Sequence, residues 1–503
     1  MGSNLLKTLQ NVEESRQKCI TNAKIANLDT YPNMGFPEIA GLFLKQNNES
    51  TLSALPAWER PSDWWDTKTI LANAEPIDGL YPAYLVLIDD YEDTTSFSKA
   101  TTAHQKLQHD GILTSDGAWY TDTDFTHTWD KTKDKECSLG YKTRYFIVYV
   151  TDAKAHGTTS ISAYLAYFRC LEVIWGNINK ISVTFTSGSY GSFTDGNVYL
   201  LNFETLDTCL ADNIEMGYNW AGCINLRNVY LPTLKKVDRY YRHFSHCEKL
   251  KRLEFPKLES LALSTGGASF LNSALGLEEV SFPKLTSAGT NSMPTSCYNL
   301  KKLYMPELIT CTVTIGENCY SLKEIYIPKL KSASAVGSSS YTLEVIEAPL
   351  LESATIGKNC YSLKEVYLPN LKTLNTDSFL YTYSLTKAEL PSLITINGTI
   401  FQSSAIEEFT FPETLVTFSR TDGAFSNCVN LRRLNLFEGW KFSGLNLTSC
   451  RSLEKESIVD MLNKLADVTT ETSTYTLTLG TTNLAKITDE EKAIGTNKGW
   501  TIA

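Results

Sequence analysis

The chain has 503 residues, enough for two or three domains. With 46 Lys and Arg against 56 Asp and Glu the net charge is −10, and no strongly basic stretch offsets it, which argues against a general nucleic-acid-binding role. No run of about 18 apolar residues occurs, which argues against a membrane-spanning helix.

Residues 1–54 read as a helical attachment or oligomerisation segment. Leu5, Leu9, Val12, Cys19 and Ala23 recur at steps of three and four or their sums, the spacing of one helix face. A Pro/Gly turn in TYPNMGFPEIAGLFLK then leads to a second short helix. The opening MGSNLLKTLQNVEESRQKCI lacks an uninterrupted apolar core, so no secretory signal is expected there.

Residues 55–165 read as a small antiparallel β domain. LYPAYLVLIDD, GAWYTDTDFTHTWD and YKTRYFIVYVT are rich in β-branched and aromatic residues and are separated by turn signals such as SDG. The stretch SDGAWYTDTDFTHTWDKTKDKE carries five aspartates. Asp122 and Asp124 have the oxygen donors that calcium takes, but the spacing is not that of an EF-hand, and the sequence leaves calcium open.

Residues 166–453 are dominated by a repeat. CYSLKEIYIPKL at 319–330 returns as CYSLKEVYLPNL at 360–371, and CINLRNVYLPTL, CEKLKRLEFPKL and CYNLKKLYMPEL begin at 223, 247 and 297. Degenerate copies begin at Ala274, Ser340, Thr382, Ser403 and Cys428, with a last partial one at Cys450. The steps are 20 to 27 residues, within the leucine-rich-repeat range of about 20–29. Inside each copy runs L-x-x-φ-x-φ-P-x-L, with φ apolar. The alternation predicts a short strand with one face inside, which the proline ends. One rung cannot bury its own apolar face, so the copies must stack into a continuous core.

Cys223, Cys247, Cys297, Cys319, Cys360, Cys428 and Cys450 share one repeat position, where other copies place Ala, Ser or Thr. That exchange predicts a small buried side chain, not a disulfide framework or a zinc site. Residues 454–503 read as a cap. It comprises an amphipathic helix in RSLEKESIVDMLNKLADV, a strand in TYTLTLG, and a short helix opened by the capping box Thr488–Glu491. The whole is α+β and β-rich: helical N-terminal segment, small β domain, leucine-rich-repeat solenoid and α/β cap.

The C-x-x-L-x-x-φ-x-φ-P-x-L units, with the lead-ins TIGENC, TIGKNC and GAFSNC, resemble BspA-type leucine-rich repeats, a subclass found in surface proteins of gut and oral microbes. The tail LGTTNLAKITDEEKAIGTNKGWTIA, with RPSDWWD and THTWDKTKDKE, is similar to tail proteins of phages of gut bacteria.

Within each strand the x positions face outward. One outward column reads Tyr230, Glu254, Ser281, Tyr304, Tyr326, Glu347, Tyr367, Glu389, Thr410, Asn435. Its neighbour reads Asn228, Arg252, Glu279, Lys302, Glu324, Val345, Glu365, Lys387, Glu408, Arg433. Tyr230, Arg252, Lys302, Tyr304, Tyr326, Tyr367 and Lys387 are the candidate ligand-binding residues, because tyrosines amid mixed charge make a recognition strip. A second tyrosine series, Tyr298, Tyr320, Tyr341, Tyr361 and Tyr383, reads as packing between rungs.

No nucleophile elbow, P-loop, dinucleotide fingerprint or metal constellation appears, so a non-enzymatic protein without cofactor is expected. The resemblances imply a phage virion protein, a tail or head fibre folded in the host cytoplasm. Its N-terminal segment would meet other virion proteins and its solenoid a host cell-surface protein or polysaccharide. The alternative is a bacterial cell-surface adhesin whose export signal is absent or trimmed. Whether the chain is a homo-oligomer is left open, and neither nucleic acid nor membrane insertion is expected.

Overall fold

The computed structural model describes residues 66–76, 81–89, 143–150, 161–164, 170–176, 181–184, 200–209, 213–215, 220, 222–238, 244–262, 270–289 and 293–503. The helices expected within 1–54 and the loop with Asp122 and Asp124 lie outside these residues. The chain forms two compact units. One comprises Met1–Leu258, Ala262–Glu278 and Ser296–Leu300, and the other Glu259–Leu261, Glu279–Thr295 and Lys301–Ala503.

In the first unit β1 (Tyr81–Asp89) pairs antiparallel with β2 (Thr143–Val150), as the β-branched and aromatic content of both segments predicts. On its other edge β1 pairs antiparallel with β4 (Cys170–Trp175). From β4 the sheet runs in parallel through β6 (Asn202–Thr205) and β8 (Asn228–Tyr230) to β10 (Arg252–Glu254). One six-stranded sheet therefore holds the antiparallel pair and the first repeat strands. A second parallel row is formed by β3 (Ile161–Tyr164), β5 (Ile181–Thr184), β7 (Asn213–Glu215) and β9 (Lys236–Asp238).

Ala83 to Leu87 are all fully buried, which is why β1 reads as an unbroken apolar run. Helix α1 (Thr67–Ala72) was not legible in the sequence. Asp66 caps it by accepting from the Thr69 amide at 3.2 Å, and Leu71 packs on Leu85, Ile147 and Ile174. The Thr67 hydroxyl donates to the buried Glu172 carboxylate at 2.9 Å.

In the second unit each rung has two strands. Glu279–Ser281, Lys302–Tyr304, Glu324–Tyr326 and Val345–Glu347 form one parallel four-stranded sheet, and Glu365–Tyr367, Lys387–Glu389, Glu408–Thr410 and Arg433–Asn435 another. Side chains alternate out-in-out, so Val280, Leu303, Ile325, Ile346, Val366, Phe409 and Leu434 line the core. The proline follows and breaks pairing, since it has no amide to donate. The chain turns through a buried leucine into a second parallel row, in which Ser287, Thr310, Ser332, Ser353, Thr373, Thr395 and Thr417 stand in register.

The return to the next rung uses left-handed backbone twice. Gly316, Gly337 and Gly357 have φ of 69, 71 and 63°. A Cβ on Gly337 would lie 2.4 Å from a Leu343 methyl. Two residues on, Asn318, Ser339 and Asn359 are also left-handed, with φ of 54, 53 and 58°, and Tyr381, Ser403 and Asn427 repeat the conformation. Asn is among the side chains that tolerate this region best. The amides of Asn318, Ser339, Asn359 and Tyr381 donate to carbonyls of the next rung at 2.7–3.0 Å, so the strained turn is also a hydrogen-bonded ladder. This is the physical content of TIGENC and TIGKNC.

The next residue is the small one. Cys319, Cys360, Cys428, Cys450, Ser340 and Thr382 are fully buried there. Cys428 Sγ donates to Phe401 O at 2.7 Å, Cys360 Sγ to Gly337 O, and Ser340 Oγ to Gly316 O at 2.6 Å. A small side chain with one donor suits the place. One assignment is corrected. Ser403 was expected at this position, but it takes the left-handed place (φ 57°) and Ser404 is the buried residue. That rung is one residue short between the small position and Ile406. The nine buried cysteines described are thiols, not disulfides.

The helix, strand and capped helix read in the C-terminal segment all form, and one further short helix, Gly480–Leu484, was not read. Helix α2 (Lys455–Lys464) buries Ile458, Met461 and Leu462, and α3 (Gly480–Leu484) follows the strand Tyr475–Thr478. Helix α4 (Asp489–Thr496) carries the capping box: Glu491 N donates to Thr488 Oγ1 at 3.2 Å, and Thr488 N to Glu491 Oε2 at 2.8 Å. No helix among the described residues is long and apolar enough to cross a membrane.

Candidate recognition face

The outward positions of the three-residue strands make the face. In-register parallel pairing places Lys302 beside Glu324 and Tyr304 beside Tyr326. It likewise places Glu365 beside Lys387 and Tyr367 beside Glu389. Within each of these sheets the columns read from the sequence are therefore rows of neighbours.

Three separate groups contain the candidate residues. In the first unit, Arg252 lies over the Tyr230 ring at 5.1 Å, and Lys68 of α1 over the same ring at 4.7 Å. Arg252 also holds Glu254 with two hydrogen bonds of 2.6 and 2.8 Å. That contact keeps the Glu254 carboxyl below its usual range and raises the guanidinium. Burial and then Asp207 raise the Tyr230 phenol. Arg252 is thus already engaged within the chain.

In the second unit Tyr304 and Tyr326 stack at 5.0 Å and 10°, with Lys302 Nζ 5.8 Å from the Tyr304 ring. Further along, Tyr367 stands 61 % exposed. Next to it a groove of about 670 Å³ opens over four rungs, with Glu365, Lys387, Glu389, Glu408 and Arg433 around it. Lys387 pairs with Glu389, which raises the ammonium. Arg433 holds Glu408 at 2.7 Å and keeps its carboxyl low.

Sequence reasoning placed Lys387 here but did not single out Glu365, Glu408 and Arg433. Their signal was the alternating sign along one column, and the cross-rung pairing that turns it into a groove depends on register. In the second tyrosine series Tyr320–Tyr341 and Tyr341–Tyr361 stack at 4.8 and 4.9 Å, and Tyr361–Tyr383 lie tilted at 5.1 Å. Its rings occupy each other's faces, as contacts between rungs do, while Tyr383 remains 57 % exposed. Among the described residues no group of His, Cys, Asp and Glu is arranged to hold a metal ion.

Strand, turn, strand and left-handed return, stacked at a period near 20–27 residues, define a leucine-rich-repeat protein. The family model for the BspA type leucine rich repeat region matches residues 216–342 and 354–474, in six copies. No curated protein matches the chain. Among solved structures it is similar to a leucine-rich repeat protein from Bacteroides ovatus (17 % identity, 60 % of this chain and 78 % of that one, TM-score 0.40). A leucine rich cell surface protein from Faecalibacterium prausnitzii is 16 % identical, over 60 % of this chain and 91 % of that one, with TM-score 0.27. An internalin from Listeria monocytogenes is 14 % identical, over 52 % and 85 %, with TM-score 0.18.

Proposed function

We propose that this chain is a non-enzymatic recognition protein whose strand face binds a host cell-surface protein or polysaccharide. The observation that carries the reading is the register of the outward columns, which sets Tyr304 against Tyr326 and Tyr367 beside the Lys387 groove. Rigid aromatic area amid oriented charge, on a backbone already ordered, binds with little entropy cost. Fluorescently labelled full-length chain should decorate a subset of gut bacterial strains, and the double variant Tyr304→Ala/Tyr326→Ala or the single variant Tyr367→Ala should reduce that decoration. Equal decoration by wild type and both variants would remove this face from the reading.

The carrier we propose is a phage particle, as a tail or head fibre. Two features support it: the resemblance of the C-terminal segment to phage tail proteins, and a core column built on thiols, which suits folding in a reducing cytoplasm. The BspA-type repeat itself favours the second reading, an adhesin on a bacterial cell surface. Antibody raised to the cap distinguishes them. Gold label on purified virions supports the fibre, and label on uninfected cells supports the adhesin.

A further inference from the structure

We infer that the groove beside Tyr367 takes a neutral sugar unit of a surface glycan. The inference rests on the recognition reading above and names its ligand class. The groove's volume of about 670 Å³ falls within the ~300–1,000 Å³ range of ligand clefts.

Its charges are largely spent on each other. Lys387 is paired with Glu389, Arg433 with Glu408, and Arg432 with Glu454. A charged ligand would have to displace one of these partners. Of the lining residues, Glu365, Glu389, Glu407 and Glu408 carry negative charge against Lys387, Arg432 and Arg433, so four acids face three bases. An anionic sugar meets that excess as repulsion.

What the pairs leave unused is directional hydrogen bonding. Arg433 reaches Glu408 through Nη2, and a guanidinium has five donors. Glu408 Oε1 accepts from Asn435 Nδ2 at 3.3 Å and retains further lone pairs. Glu365, Lys387, Glu408 and Arg433 succeed one another along the strand stack at about 4.8 Å per rung. Planar carboxylate and guanidinium groups at such spacing grip pairs of neighbouring hydroxyls, as a pyranose presents them. The apolar side of a sugar ring needs a flat partner. Tyr367, in register with the lining residue Glu389, offers its exposed ring beside the groove, and Pro391 and Pro412 add apolar surface to the lining.

The test is calorimetric titration of the full chain with cellohexaose, mannohexaose, hexagalacturonate and chitosan hexamer, at low and high salt. The expected result is binding of at least one neutral hexamer with an affinity that salt does not change, because no net charge is neutralised. Arg433→Met and Tyr367→Ala should each weaken it by about tenfold, the loss of one good contact, while Lys372→Ala on the other strand row should not. Binding of only the uronate or the amino sugar overturns the inference, as does neutral binding untouched by both groove variants. If no hexamer binds but the chain still decorates cells, the sugar assignment falls and the recognition reading stands. If neither occurs, the recognition reading falls with it.

Discussion

At the scale of single residues, the small column decides how rungs close. Cys360 is fully buried and donates to the Gly337 carbonyl, the same contact Ser340 makes one rung earlier. Cys360→Ser should therefore change stability by less than about 1 kcal/mol, whereas Cys360→Leu should cost about 1–3 kcal/mol through overpacking, both read from urea melts. Burial also pushes the thiols up, Cys428 to about 11 and Cys360 to about 12, from an ordinary value of 9.0. Below pH 9.0 both folded and unfolded chains keep these protons. Above it the unfolded chain releases them first, so stability falls as pH rises towards the folded values, by about 1.4 kcal/mol per unit for each thiol. Melts at pH 8 and pH 10 should show the loss, with a smaller one in Cys360→Ser. An equal loss in both would assign it to other groups.

Much of this residue detail was legible. The exchange of Cys with Ala, Ser and Thr announced a small buried site, because only volume and one donor are shared among them. The left-handed pair was not, because Gly-x-Asn, Val-Gly-Ser-Ser and Phe-Leu-Tyr share a backbone angle but no side chain. Phe379 and Phe401 hold the place of Gly357 with φ of 57 and 55°, stacked on each other at 5.1 Å. Their fully buried rings offset the strain that glycine avoids. The same blindness to backbone shifted the small residue from Ser404 to Ser403.

At the scale of elements, a strand of three residues has little stability alone and depends on its neighbours on both sides. The last rung has a neighbour on one side only, and α2 closes it, with the Ser457 hydroxyl accepting from the Leu434 amide at 3.0 Å. Helix α4 packs behind, held by its capping box and by Lys455 to Glu491 at 3.0 Å. Thr488→Ala should cost about 1 kcal/mol, seen as a lower thermal midpoint with an unchanged circular-dichroism spectrum at low temperature. The box was plain in the sequence, because its two reciprocal bonds need two residue types at fixed spacing. The six-residue α1 was not, since so short a helix has almost no periodicity to read and is held by packing of Leu71.

At the scale of the whole molecule, the 12-letter copies made the architecture legible, while the groove needed register between rungs that no single copy contains. The chain's oligomeric state belongs to this scale too. Where residues 1–50 drive self-association, the mass shows it. Light scattering should then give a multiple of the chain mass of 56.2 kDa for the full chain, and a monomer after removal of that segment. Monomers in both cases would exclude assembly through it.

The rungs beginning at Cys319 and Cys360 are nearly the same twelve letters, two turns apart. Their matching backbone ladders make them interchangeable parts. A crossover between the two stretches of DNA would remove or add 41 codons, two whole turns, and rejoin strand to strand with every amide still opposite its carbonyl. The length of the strand face, and with it the span of the ligand proposed for it, is thus a quantity that ordinary copying errors can change in whole steps, leaving the cap and the fold untouched.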